Sequence, residues 1–155
     1  MRYFKMILAL LVLASCSSKK EKNREDNTWT DENVKKLEAI ANEAYSKDQY
    51  SNAIFLYNKL IGLDSTQGEY YFKRGYSYSM LQNTDNATQD FLRSIRLEYK
   101  VSKSYQNIGS MYFALISNDS LAAYYFSKAL KYDPTNEKIK NLLEICKKRL
   151  NKKTK

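Results

Sequence analysis

The sequence predicts an all-α fold, a solenoid of three antiparallel helix pairs closed by a C-terminal capping helix. The first observation behind this is an internal repeat. A shift of 34 positions lays Ala41 on Gly75 on Gly109, Ala53 on Ala87, and Tyr57 on Phe91; after one extra residue the register resumes at Ala122, Phe126, Ala129 and Pro134. The second is the spacing of apolar residues three and four apart within each copy, which puts them on one helical face. The third is the punctuation between those faces by Gly, Asn, Asp and the single proline.

Residues 1–15 read as a lipoprotein signal peptide. Arg2 and Lys5 precede an apolar run over residues 6–14, too short for the roughly 20 residues of a membrane-spanning helix. Leu13-Ala14-Ser15-Cys16 resembles the lipobox of bacterial lipoproteins, in which the cysteine sulfur takes a diacylglycerol and, after cleavage, the new amine is acylated, palmitate being the expected acyl group. Cys16 is therefore the expected lipidation site, an ordinary secretory signal being the alternative. The resemblance implies a cell-envelope protein held on a membrane. Ser17, in place of the aspartate of inner-membrane retention, favours the outer membrane. Residues 16–30, the expected lipidated cysteine and the polar residues after it, read as a flexible tether.

The repeat domain is expected over residues 31–150, with repeats near 34–67, 68–101 and 102–136 and the capping helix over 136–150. In the first pair, Asp31 and Glu32 suit a helix N-terminus, Leu37, Ile40, Ala41 and Ala44 make the buried face, and residues 47–49 turn the chain. Ala53, Ile54, Tyr57, Leu60 and Ile61 face inward from the partner helix, which Gly62 is expected to end in the left-handed conformation. The second pair presents Tyr71, Gly75 and Tyr78 against Ala87, Phe91, Ser94 and Ile95; the third presents Tyr105, Ile108, Gly109 and Tyr112 against Ala122, Phe126 and Ala129. A glycine inside a helix costs about 1 kcal/mol relative to alanine, so its recurrence at Gly75 and Gly109 predicts a close helix crossing. Ile139, Leu142, Leu143, Cys146 and Leu150 then form one face of a last helix whose other face is lysine-rich, as the open end of a solenoid requires.

Period, small residues and aromatics together resemble the tetratricopeptide repeat. Ser65 stands where that family has proline, and Arg74 where it has leucine. The resemblance implies a non-catalytic adaptor or scaffold whose first helices line a concave groove for a protein or peptide partner. By register, the partner-binding groove takes Asn42 and Tyr45 from the first repeat, Phe72, Lys73, Tyr76 and Met80 from the second, and Lys103, Asn107 and Phe113 from the third, with Glu38, Gln106 and Ser110 beside them. The alternative is that these are solvated faces of the helices. The family's carboxylate clamp for chaperone tails is matched at Asn42 and Lys103 but not at Glu38, where it needs lysine, nor at Asn107, where a further cation is common. That clamp is expected to be absent.

Composition narrows the chemistry. The chain has no histidine, its carboxylates are scattered rather than paired at a spacing that would support acid–base chemistry, and its four glycines stand apart, so no catalytic residue, metal site or cofactor is expected. Cys146 sits in an apolar helical pattern and reads as core. The formal charge of +9 is concentrated between Lys138 and Lys155, where eight cations face Glu144. The basic residues 151–155 read as a tail. This excess lacks interleaved aromatics, and no nucleic-acid partner is expected. The alternative function is a membrane-surface or anionic-polymer binding module acting through the basic C-terminal helix and tail.

Overall fold

A computed structural model describes residues 29–153. The chain divides into two units, Met1–Thr30 and Asp31–Lys155; of the first only Trp29 and Thr30 are described, and the expected signal peptide and Cys16 lie outside the described residues. The second unit holds seven helices among the described residues: α1 (Asp31–Ser46), α2 (Tyr50–Leu63), α3 (Gly68–Met80), α4 (Thr84–Arg96), α5 (Val101–Ala114), α6 (Asp119–Tyr132) and α7 (Glu137–Lys153). Each packs on its chain neighbours, and α3 also touches α5, so three helix pairs stack in series and α7 covers the last.

The core follows the repeat. Ala53, Ala87 and Ala122 occupy equivalent places in α2, α4 and α6 and are fully buried, as are Phe91 and Phe126, with Tyr57 at 1 % exposure. Burying each of these aromatic bodies contributes about 2–3 kcal/mol, and the alanines let the facing helix approach. A Cβ built on Gly109 would lie 2.7 Å from the Phe126 ring, and one on Gly75 would lie 3.0 Å from the Asp90 Cβ and 3.2 Å from the Ala87 carbonyl oxygen. The expected close crossings are therefore present in the second and third pairs. Cys146 is fully buried with Ile139 among Ala122, Phe126 and Ala129, and burial pushes its thiol above the ordinary value.

The turns within pairs share one device. Asp48, Gln82 and Ser117, at equivalent positions, all adopt the left-handed backbone, with φ of 58°, 59° and 54°. Asn83 and Asn118 then cap α4 and α6, their side chains accepting from Asn86 N (3.3 Å) and Leu121 N (3.0 Å).

The exits from the pairs are less uniform. Asp64 leaves α2 in an extended conformation and its carboxylate accepts from Thr66 N, Thr66 Oγ1 and Gln67 Nε2; Asp133, after α6, accepts from Thr135 Oγ1 and Asn136 Nδ2. The exit from α4 instead has Glu98 and Lys100 both at positive φ, and the bend at Leu97 and Tyr99 lies against Gly68, where a Cβ would meet Tyr99 Cβ at 2.6 Å.

Three expectations are corrected. Gly62 does not end α2: it has negative φ inside the helix, with nothing within 4 Å of a Cβ built there, and the Asp64 turn makes the stop. Ile40 is 53 % exposed, because successive helical residues point about 100° apart and Leu37, Ala41 and Ala44 already define the inward line. The last helix does not break at Leu150; residues 151–153 continue α7.

Candidate functional site

A cavity of about 470 Å³ opens between the first helices of the three pairs, lined by Tyr45 of α1, Phe72 and Tyr76 of α3, Lys100 at the start of α5, and Lys103 and Asn107 of α5. Tyr45, Tyr76 and Asn107 are half-buried; Lys103 is exposed. Helical spacing explains the grouping: Phe72 and Tyr76, and Lys103 and Asn107, are each four residues apart and project from one face.

The aromatic wall is braced from behind. Tyr45 and Tyr76 meet edge to face at 5.5 Å between centroids, and Tyr50 meets Tyr76 at 6.3 Å. Phe72 packs on Phe91 (5.7 Å) and Tyr99 (5.9 Å), so its ring is a fixed floor. Burial, then the neighbouring Tyr76, Tyr99 and Asp48, push the Tyr45 phenol up to about 12, and it remains a neutral hydrogen-bonding group across physiological pH.

The polar groups divide sharply. At the first-repeat end they satisfy one another: the Asn42 Oδ1 accepts from Tyr57 Oη (2.8 Å) and Lys73 Nζ (2.6 Å), Lys73 also pairs with Glu69 at 2.6 Å, and Glu38 accepts from the Tyr70 hydroxyl. At the third-repeat end they do not. Asn107 Nδ2 is buried and donates to no partner among the described residues. Lys103 makes no ion pair among the described residues, and Lys100 Nζ lies over the rings of Phe72 (5.0 Å) and Tyr99 (5.3 Å) with no carboxylate beside it.

Of the nine residues expected in the groove, the structure gathers Tyr45, Phe72, Tyr76, Lys103 and Asn107 around the cavity. Asn42 and Lys73 belong to the self-satisfied cluster beside it. Met80, 48 % exposed, does not line it. Phe113 packs on Phe126 and lies under the Arg149 guanidinium at 4.6 Å, where α7 covers the third pair. Sequence reasoning missed Lys100. It precedes α5, outside the helical register, and reaches the cavity through the left-handed turn peculiar to the second exit; that turn had no glycine to announce it. The arrangement offers apolar walls, hydrogen-bond donors and two positive charges, which is equipment for binding.

Comparison with known proteins falls on the same repeat. Residues 68–100 match the family described as Tetratricopeptide repeat. Tetratricopeptide repeat protein 6 of Homo sapiens is 41% identical over 73 residues, which cover 47% of this chain and 14% of that protein. The Small glutamine-rich tetratricopeptide repeat-containing protein of Dictyostelium discoideum is 32% identical over 107 residues, covering 69% and 32%. The chain spans a third or less of the length of the curated relatives it matches. Among solved structures, the first such domain of Spaghetti (RPAP3), bound to an HSP90 peptide, superimposes with a TM-score of 0.67 at 22% identity, covering 76% of this chain and 93% of that one.

Proposed function

We propose that this tetratricopeptide-type solenoid is a non-catalytic adaptor that holds a protein or peptide partner in its groove, tethered by lipid at Cys16 within a cell-envelope assembly. The observation that carries the binding part is the cavity of Tyr45, Phe72, Tyr76, Lys100, Lys103 and Asn107, whose donors at one end have no partner within the described chain. The similar Spaghetti domain holds an HSP90 peptide, which supports a peptide as occupant. Here the first-repeat end is occupied by internal hydrogen bonds, so the grip on a partner falls to the third-repeat end.

A photo-crosslinking residue placed at Tyr76 or Lys103 tests this. Adducts should form with one partner from the groove positions and not from Tyr124, which is exposed on α6 and does not line the cavity. Adducts from Tyr124 alone would move the partner away from the groove.

The anchor rests on Leu13-Ala14-Ser15-Cys16. Multiple acyl chains on one residue hold a protein on a membrane stably. Cys16→Ser should release the protein to the soluble fraction or block its maturation, and unchanged membrane association would reject lipidation. An outer-membrane position is the form of this reading that Ser17 favours. The basic α7 gives less support to the competing role at an anionic surface. Lys140 and Lys148 pair with Glu137 and Glu144, and Arg149 with Asp119, so part of its charge is engaged within the fold.

A further inference from the structure

The distribution of satisfied and unsatisfied polar groups says what kind of peptide the groove takes. From it we infer that the cavity recognises an internal acidic residue adjacent to an aromatic or aliphatic side chain, in a partner segment whose own terminus is not required. The inference rests on the groove reading above and makes it specific.

The acidic element follows from the third-repeat end. Lys100 and Lys103 enter the cavity without a carboxylate partner among the described residues, and Asn107 Nδ2 is a buried donor with nothing to donate to. A buried donor left unpaired costs roughly 1–3 kcal/mol, so a ligand acceptor arriving there relieves a cost the free protein already bears. A carboxylate has lone pairs enough for the amide and both ammonium groups at once. The ring faces of Phe72 and Tyr99 hold Lys100 Nζ at about 5 Å, restricting a flexible side chain before binding and lowering the entropy lost on capture.

The apolar element follows from the walls. Tyr45, Phe72 and Tyr76 line the same cavity as the two lysines and Asn107, so an apolar side chain and an acidic one must be near neighbours in the ligand to use both. The third condition comes from the first-repeat end. Gripping a terminal carboxylate between the first and third repeats would need an unpaired cation at both. The Lys73 ammonium is already taken up by Asn42 Oδ1 and Glu69, and Glu38 places a negative charge at the first-repeat end. The positive end of the groove is thus confined to α5 and the turn before it.

The test uses the described domain within the full chain, against an array of N-acetylated peptides presenting Leu or Phe at fixed separations from Glu, each made with an amidated and a free-acid terminus. Expected binders carry an acidic residue next to an apolar one and bind equally well in both terminal forms. Changing the peptide Glu to Gln, or Lys100→Gln or Lys103→Gln in the protein, should weaken binding roughly tenfold, the scale of one charge-assisted hydrogen bond. Asn107→Leu should weaken Glu and Gln peptides alike while still binding apolar peptides, whereas Lys100→Gln combined with Lys103→Gln should lose the preference for Glu over Gln. Folding of each variant is checked by its thermal midpoint. Peptides that bind regardless of acid would overturn this inference and leave the groove reading standing, and binding confined to free-acid termini would also overturn it. Binding by none would overturn both.

Discussion

Arg74 closes a fork on Asp90. Its Nε donates to Oδ2 at 2.7 Å and its NH2 to Oδ1 at 2.6 Å, while NH1 reaches back to Asn58 Oδ1 at 2.7 Å. One side chain on α3 thereby joins its own pair to the one before. Burial pushes the Asp90 carboxyl up, and Arg74 opposes that shift. With 17 % and 7 % of the two side chains exposed, each charge depends on the other. Arg74→Leu leaves Asp90 buried without its partner and should cost about 2–4 kcal/mol by urea denaturation; Arg74→Leu combined with Asp90→Ala should recover most of it. A double variant no more stable than the single would show that the pair itself, rather than the orphaned charge, carries the stability.

Gly109, buried at a helix crossing, and Gly62, exposed on α2, should respond to alanine in opposite directions. Alanine is the better helix former by about 1 kcal/mol, and Gly62→Ala meets nothing within 4 Å, so it should raise stability by 0.5–1 kcal/mol, about that much. Gly109→Ala puts its methyl 2.7 Å from the Phe126 ring, in a core with no slack, and should lower stability by about 1–3 kcal/mol despite the same propensity gain. Thermal midpoints of the two variants, measured together, decide whether crossing distance or helix propensity governs.

The left-handed turn residues supply a gentler test. Gln82 has φ 59°, and a residue with a Cβ bears a cost there that glycine does not. Gln82→Gly should stabilise by a few tenths to about 1 kcal/mol, the gain being reduced by the greater freedom of glycine in the unfolded chain. Gln82→Val should destabilise, since a β-branched residue tolerates that conformation poorly. A chemical denaturation series of both variants reads the difference directly.

These glycines and turns also mark what was legible in the sequence. The repeat was visible because the same packing problem is solved at Gly75 and Gly109, and a 34-residue shift aligns the solutions. The aromatic and lysine lining from Tyr45, Phe72, Tyr76, Lys103 and Asn107 was visible because register alone places it on one helical face. Lys100 was not, since it belongs to a turn, and neither was the hydrogen bonding of Asn42 to Tyr57 across 15 residues, which depends on side-chain reach rather than period. Ile40 misled because an apolar residue beside a buried stripe looks, at three-residue spacing from Leu37, like a member of it. Phe113 sits in the right register, but whether it meets a ligand or Arg149 depends on where α7 lies.

Acid should expose the role of the two Asp turns. Hydrogen bonds from Thr66 and Gln67 hold the Asp64 carboxyl below its ordinary 3.8, and those from Asn136 and Thr135 do the same for Asp133. A carboxyl whose value is lowered by folding binds fewer protons in the native state than in the unfolded one. Its contribution is therefore present above about pH 4 and is lost as pH falls through the lowered value. Both residues are only partly buried and stay open to solvent, so the effect is screened, and salt should reduce whatever part comes from charge rather than from hydrogen bonding. Asp64→Asn with Asp133→Asn keeps an acceptor in each turn but removes the titration. Its thermal midpoint should lie below the parent's at pH 6 and should fall less steeply between pH 4 and pH 2. Parallel curves for parent and variant across that range would show that other carboxylates, Glu43 beside Lys47 among them, govern the acid limb.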